Sequence, residues 1–440
     1  MTNGMKPISV GLLGIGTVGG GTWTVLNRNR EEITRRAGRE IRIAMVADKD
    51  VEKAKRLTGG AVKVVADANE VVTNRDIDIV IELIGGYGIA KELVLKAIAN
   101  GKHVVTANKA LLALHGNEIF AAARAKDVMV AFEAAVAGGI PIIKAVREGL
   151  SANRIEWIAG IINGTSNFIL SEMRAKGLPF DAVLKEAQAR GYAEADPTFD
   201  IEGIDAAHKL TILSALAFGI PMQFERAYTE GISKLTQEDI RYAEQLGYRI
   251  KLLGITKRTP QGIELRVHPT LIPTRRLIAN VEGVMNAILV KGDAVGATMY
   301  YGAGAGAEPT ASAVVADLVD VTRLHTADPE HRVPHLAFQP DQLSSVPVLP
   351  MGEVITSYYL RMRVLDRPGV LADITRVLGD RSISIEALIQ REPTEGEDQV
   401  DLIMLTHEAR EKQVDDAIAA IEKLPVVAAK VTRIRMESLD

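Results

Sequence analysis

Short uncharged runs alternate with longer amphipathic stretches over the first 140 residues, in a rhythm that predicts strands and helices in turn. Strand patterns fall at 8–13, 41–48, 78–84, 103–109 (with its exit) and 128–136. Helical patterns open near Gly20 and cover 90–100, closed by Gly101, and 117–126. Strands alternating with helices in this way point to a doubly wound parallel sheet.

From about Gly138 the rhythm changes. A helix is expected after 140–143, then a strand over 154–162 that ends in the polar turn 163–167. Further strands are expected at 249–256, 262–268 and 286–290. This is an α+β pattern. A glycine-rich stretch, 301–306, leads into a helix over 311–324 that should return to the first domain. Residues 325–351 show no periodicity. The last 80 or so residues read strand (357–364), helix (370–381), strands (384–390 and 400–406), helix (413–424) and strand (428–436). That βαββαβ order is the ferredoxin-like arrangement. The expected organisation is a Rossmann-type domain over 1–137 completed by the helix 308–325. A substrate-binding and dimerisation domain over 138–307, a linker over 326–352 and a regulatory domain over 353–440 follow.

Chemistry concentrates at two places. The first is Gly14-Ile15-Gly16-Thr17-Val18-Gly19, directly after the first strand. Gly14 permits a tight turn, Gly16 lets backbone approach a pyrophosphate, and Gly19 allows close helix–strand packing. The following helix start offers free N–H groups to phosphate. Asp48 ends the second strand, where a ribose ligand belongs, but Lys49 follows it and suits a 2′-phosphate. NAD and NADP both stay open. Thr106, Asn108 and Lys109 stand at a strand's carboxyl end, where ligands of open α/β sheets lie, although Lys109 could equally be a solvated loop lysine.

The second place is the segment 191–209, GYAEADPTFDIEGIDAAHK, which runs into the uncharged stretch 210–220. A helix apolar on every side is buried, so Asp205 and Lys209 stand at an entrance to the interior. Their spacing places them on one face. A lysine between desolvation and neighbouring carboxylates is a candidate proton donor and acceptor, against the plainer reading of a surface ion pair at a helix start. His103 in a strand and His115 in a loop are expected to be structural, and His208, beside Lys209 but on another helical face, to have a minor role at most.

Composition narrows the class without naming a reaction. The chain has 440 residues, 47% hydrophobic and 25% charged, with a net charge of −4, as in ordinary globular proteins. That charge carries no nucleic-acid or membrane footprint. No cysteine is present, which excludes disulfides and thiolate chemistry. A cytoplasmic enzyme fits.

The motifs GLLGIGTVG (11–19), VVTANKALLA (104–113), FEAAVAGGIPII (132–143), NGTSNFIL (163–170), the acidic–lysine segment 191–210 and YGAGAGAEPTASAVVADL (301–318) resemble monofunctional bacterial homoserine dehydrogenase with a carboxy-terminal ACT domain. The resemblance implies reversible NADPH- or NADH-dependent reduction of L-aspartate 4-semialdehyde to L-homoserine. It implies Lys209 as general acid, Asp205 holding it, and Lys109 polarising the carbonyl near the nicotinamide. Glu194 and Asp200 would bind substrate, bordered by Thr165 and the backbone of Asn163–Gly164. Gly306 and Glu308 would close over the nicotinamide. A sodium-like cation would be held by Glu133 and the carbonyls of Val136, Gly138 and Ile140, oxygen donors suited to a hard ion. No kinase-like region precedes the first strand, so a monofunctional enzyme is expected, as a homodimer or homotetramer with L-threonine as effector. Two alternatives stand beside this: a dehydrogenase of another small amino-acid aldehyde, and a catalytically dead sensor of nucleotide and amino acid.

Overall fold

A computed structural model describes residues 6–390 and 397–440. It divides into two compact units. One holds the chain up to Gly164, Asp205–Ala227 and Val284–Val346; the other holds Thr165–Ile204, Tyr228–Gly283 and Pro347–Asp440.

The first unit is built on six strands, β1 (Ile8–Leu13), β2 (Ile41–Ala47), β3 (Lys63–Val65), β4 (Ile79–Glu82), β5 (His103–Thr106) and β6 (Val130–Ala131), in the order β3-β2-β1-β4-β5-β6. All pair in parallel. The direction of winding reverses between β1 and β4, and ligands of such sheets bind at that switch point. Every residue of β1 and β4 is buried, which explains why neither alternates in polarity: helices cover both faces. Those helices are α1 (Thr17–Arg28), α2 (Arg30–Ala37), α3 (Val51–Thr58), α4 (Ala68–Val72), α5 (Gly88–Ala99) and α6 (Lys109–Ala125).

Two boundaries depart from the sequence pattern here. α6 begins at Lys109 and not near Asn117, because the Asn108 side chain accepts the Leu111 amide and caps the helix. His115, read as a loop residue, therefore lies on α6. The polar stretch after α1 carries α2, where only Ile33 and Ala37 are buried and Gly38 ends the helix in left-handed geometry.

After β6 come α7 (Ile142–Lys144) and β7 (Ile155–Ile161). The stretch 163–167, expected as a turn, is instead the entry of α8 (Gly164–Lys176). Its polar side chains bind carbonyls of distant segments: Ser166 donates to the Asp200 carbonyl at 3.0 Å and Asn167 to the carbonyls of Val281 and Gly283 at 3.1 and 2.9 Å. α9 (Phe180–Ala189) and α10 (Thr198–Ile201) belong with α8 to the second unit. α11 (Ile204–Phe218) carries the uncharged stretch, and all of Leu210–Phe218 is buried, as its composition requires.

The second unit continues with β8 (Tyr228–Thr229), α12 (Gln237–Gln245) and the long hairpin β9 (Tyr248–Arg258) and β10 (Ile263–Pro273). The first unit resumes with β11 (Met285–Gly292), which pairs antiparallel with β7 and with β12 (Gly296–Ala303). β12 takes in the start of the glycine-rich run, whose glycines hide a strand pattern. α13 (Ala307–Leu324) then packs its Ala311, Val314 and Leu318 into the same core as Val10 and Leu12 of β1.

Residues 325–346 lack periodicity but are fixed on this unit. The Val130 amide donates to His335 Nε2 at 3.0 Å, and the His335 ring stacks on Phe120. The Ser344 amide donates to the Gly219 carbonyl at the end of α11.

The carboxy-terminal part of the second unit runs β13 (Ile355–Leu365), α14 (Val370–Gly379), β14 (Ile385–Gln390), β15 (Gln399–Thr406), β16 (Ala409–Arg410), α15 (Glu411–Ile421) and β17 (Thr432–Met436). Without the two-residue β16 this is the βαββαβ order. β17 starts later than expected because Ala428 is occupied by a bond to the Arg363 carbonyl. β17 pairs with β13 and also with β10, so this segment shares a sheet and charges with the rest of its unit. Arg361 contacts the buried Asp239 at 2.6 Å and Arg266 contacts Glu437 at 2.6 Å.

Candidate active site

One carboxylate gathers two lysines. Asp205, on the first turn of α11, is 4% exposed. Lys209, one turn later, donates to Asp205 Oδ2 at 2.6 Å and to the Ile162 carbonyl at 2.8 Å. The ammonium of Lys109, at the start of α6, stands 3.2 Å from Asp205 Oδ1. Asn163 donates its Nδ2 to Oδ2 at 2.9 Å. Burial pushes the Asp205 carboxyl up, but the two ammonium charges with the Lys209 and Asn163 bonds outweigh it and hold it well below the ordinary carboxylate range. The cluster thus carries one negative and two positive charges. An ammonium has three donors, and Lys209 uses two of them on Ile162 and Asp205 among the described residues.

The elements behind Lys109 are themselves tied. Glu82, at the end of β4 and fully buried, accepts from the amides of Ile84 and Gly85 and from Thr106 Oγ1 at 2.7 Å. Thr106 Oγ1 accepts from the Asn108 amide, and Asn108 reaches back to the Gly86 carbonyl. Thr106 is in this way a brace of the strand exit. Sequence reasoning passed over Glu82, although a carboxylate inside an otherwise apolar strand is a signal, since buried charge persists only when satisfied. Asn163, expected to act through its backbone, acts through its side chain as well.

The glycine turn has the shape its sequence implied. Gly14 adopts φ +87°, and a Cβ there would lie 2.8 Å from the Leu83 carbonyl oxygen; at Gly19 it would lie 2.1 Å from that of Gly14. Ile15 is fully buried. Gly16 caps α1 with no side-chain bond, and a Cβ on it would meet nothing within 4 Å. The amides of Thr17, Val18 and Gly19 therefore open an uncapped helix end with free space before it, which fits a pyrophosphate. Asp48 Oδ2 accepts the Ile15 amide at 2.8 Å and its Oδ1 the Asp50 amide at 2.9 Å. Lys49 is exposed.

Gly306 precedes α13 with φ +123°. Glu308 accepts from both terminal nitrogens of Arg28, at 2.9 and 2.8 Å, an exposed fork between α13 and α1. Glu133, 2% exposed, accepts the amides of Ile143 and Lys144, both at 2.9 Å. Burial raises its carboxyl, and those two amide bonds partly offset the rise. After it, Ala137 and Gly138 take consecutive positive φ values of 55° and 48°, a turn that Val136 and Ile140 flank. Oxygen is the only donor type in this set.

Gly164 belongs to the first unit, where a Cβ would lie 2.7 Å from the Val284 carbonyl oxygen. Thr165, Glu194 and Asp200 belong to the second. There Thr165 Oγ1 donates to the Tyr192 carbonyl at 2.7 Å, and Glu194 is exposed. His103 and His208 are packed side chains. His103 accepts the Met129 amide, and His208 lies against Phe224 with ring centres 4.2 Å apart. Burial lowers both to about 4.

Residues 14–133 match the family model of the homoserine dehydrogenase NAD-binding domain, 141–319 that of homoserine dehydrogenase, and 358–426 that of the ACT domain. The chain is 65% identical to homoserine dehydrogenase of Pseudomonas aeruginosa over 99% of its own length and 100% of that protein's. It is 63% identical to that of Neisseria gonorrhoeae, over the same shares. A solved homoserine dehydrogenase from Thiobacillus denitrificans superposes with a TM-score of 0.95 at 73% identity, covering 99% of this chain and 100% of that one.

Proposed function

The chain belongs to the homoserine dehydrogenase family, and from that premise we propose how its residues interconvert L-homoserine and L-aspartate 4-semialdehyde. The observation that carries the proposal is the Lys109–Asp205–Lys209 cluster. When bound, the nicotinamide dinucleotide supplies the hydride in one direction and accepts it in the other. Lys209 Nζ donates a proton to the alkoxide oxygen as the aldehyde is reduced, and takes it back from the hydroxyl in the oxidation. Asp205 orients Lys209 and offsets its charge, and the Ile162 carbonyl fixes the ammonium from the other side. Lys109 places a second positive charge near the same carboxylate, suited to polarising the carbonyl.

The uncapped start of α1, through Gly14 to Gly19, takes the pyrophosphate, and Gly306 and Glu308 lie at the entry to the helix beside it. Glu194 and Asp200, in the acidic segment before Asp205, bind the amino-acid part of the substrate, with Gly164 and Thr165 bordering it. The oxygen set of Glu133 with the carbonyls of Val136, Gly138 and Ile140 fits a monovalent cation such as sodium, whose charge the buried carboxylate would balance. The reading extends to a cytoplasmic homo-oligomer whose ACT segment senses L-threonine.

A panel of hydroxy amino acids tests the substrate. Dinucleotide reduction should depend on L-homoserine and be far slower with L-serine or L-threonine. Preference for another hydroxy acid would replace the substrate, and no turnover with any would favour a sensor.

A further inference from the structure

The acid at the end of β2 does a different task from the one its position suggests. In a dinucleotide-binding sheet this place supplies a ligand for the ribose hydroxyls, an interaction that discriminates NAD from NADP. Asp48 holds two backbone amides. Its two oxygens accept the Ile15 and Asp50 amides at 2.8 and 2.9 Å. The neighbouring Ala47 carbonyl accepts the Gly14 amide at 2.9 Å. Two successive amides of the glycine turn are therefore bound to the end of β2, one by backbone and one by a carboxylate 33 positions away in sequence.

Other features make this tether consequential. Gly14 sits at φ +87°, a conformation open to glycine but strained for other residues. The Ile15 side chain is fully buried, so its amide direction is fixed from both sides. The next residues, Gly16 to Gly19, open α1 with no capping side chain. A carboxylate on the Ile15 amide thus sets the direction in which the following amides point. On its other side Asp48 holds the Asp50 amide, and Asp50 caps α3 by accepting the Lys53 amide at 2.9 Å.

We infer that Asp48 is a positioning residue that shapes the pyrophosphate cradle for NAD and NADP alike, and that it does not select between them. The inference rests on the dinucleotide reading above. It separates cleanly from a ribose role, because the pyrophosphate is common to both cofactors while the free 2′-hydroxyl belongs to NAD alone.

The test is calorimetric titration of the full chain with NAD+ and with NADP+, for wild type, Asp48→Ala and Asp48→Asn. Loss of a hydrogen bond to a charged acceptor is commonly worth about tenfold in binding, and Asp48→Ala removes the part-buried one from Ile15 and the exposed one from Asp50. Asp48→Ala should weaken both cofactors by a similar factor, leaving their ratio within about twofold of wild type. Asp48→Asn, whose amide oxygen still accepts from Ile15, should lie between the two and keep the same ratio, and it carries the test if the alanine variant does not fold. NAD+ binding that collapses while NADP+ binding is kept or improved would overturn the inference and restore the ribose role. A wild-type protein that binds neither cofactor would instead bring down the dehydrogenase reading itself.

Discussion

Asp205 shows how much of the site rests on one side chain. Its carboxylate touches both lysines and Asn163, and without it two ammonium groups would face one another with no counter-charge. Asp205→Asn should lower kcat by roughly 10²–10³, the usual cost of losing a preorganised charge at the reacting centre. Steady-state rates would show it, and a variant within a few-fold of wild type would remove Asp205 from the proton-transfer apparatus. The pH dependence has a definite sign. A carboxyl held below its unfolded value contributes stability above that value and loses it only as pH falls through the lower, folded one. Asp205 should therefore stay charged across the neutral range, and activity should show no titration of this group above about pH 5. The Asp205–Lys209 pair was legible because both members lie one helical turn apart. Lys109 joins them from another helix, a non-local contact that no local spacing encodes, and Glu82, visible as an acid in an apolar strand, has partners in Thr106 and the Ile84 and Gly85 amides that the sequence does not name.

At the scale of elements, glycines show where packing and propensity disagree. In α1 a Cβ at Gly20 would find nothing nearer than 3.8 Å, while at Gly21 it would lie 2.3 Å from the Ala307 carbonyl oxygen of α13. Alanine gains about 1 kcal/mol over glycine inside a helix. Gly20→Ala should be neutral or raise the melting temperature. Gly21→Ala should lower it, since overpacking against backbone costs about 1–3 kcal/mol. Thermal melts of the two variants settle the point, and equal behaviour would mean that α13 is not seated on α1 as described. Elements with continuous apolar runs, such as β1 and α11, could be read from sequence. Those whose burial is slight could not: α2 buries two side chains, and β12, with much of its surface half-exposed, merges into a glycine run. His335 belongs to the same class. Nothing in an aperiodic stretch marks it as the residue that takes up the Val130 amide.

Across the whole molecule two properties follow from buried polar groups. Burial lowers His103, His208 and His335 to about 4, and pulls His268 well below its ordinary value. The unfolded chain binds more protons than the folded one between about pH 4 and the unfolded histidine value of about 6.5. Stability should therefore rise with pH through this window and be lost on acidification through it. Urea unfolding at pH 7 and pH 5 measures this, and equal midpoints would contradict it. The carboxy-terminal segment is also more than an appended module. Deleting 352–440 removes Arg361 from the fully buried Asp239, and leaving a buried charge unpaired costs about 3–5 kcal/mol; Arg266 loses Glu437 but keeps Glu264. The truncated chain should melt well below the full one, so threonine sensitivity is better tested on the intact protein. A truncation that melts unchanged would show the segment to be independent. Its βαββαβ order was readable from periodicity. Its sharing of a sheet with β10 was not, because that pairing joins distant strands.

The central claim is that Lys209 transfers the proton, and the most direct measurement is homoserine-dependent reduction of NADP+ and NAD+ by wild type and Lys209→Ala. Wild type should turn over, and kcat of the variant should fall by about 10²–10⁴, with dinucleotide affinity kept. Turnover that survives the substitution would contradict the claim and move the proton to another group, with Lys109 the first to examine.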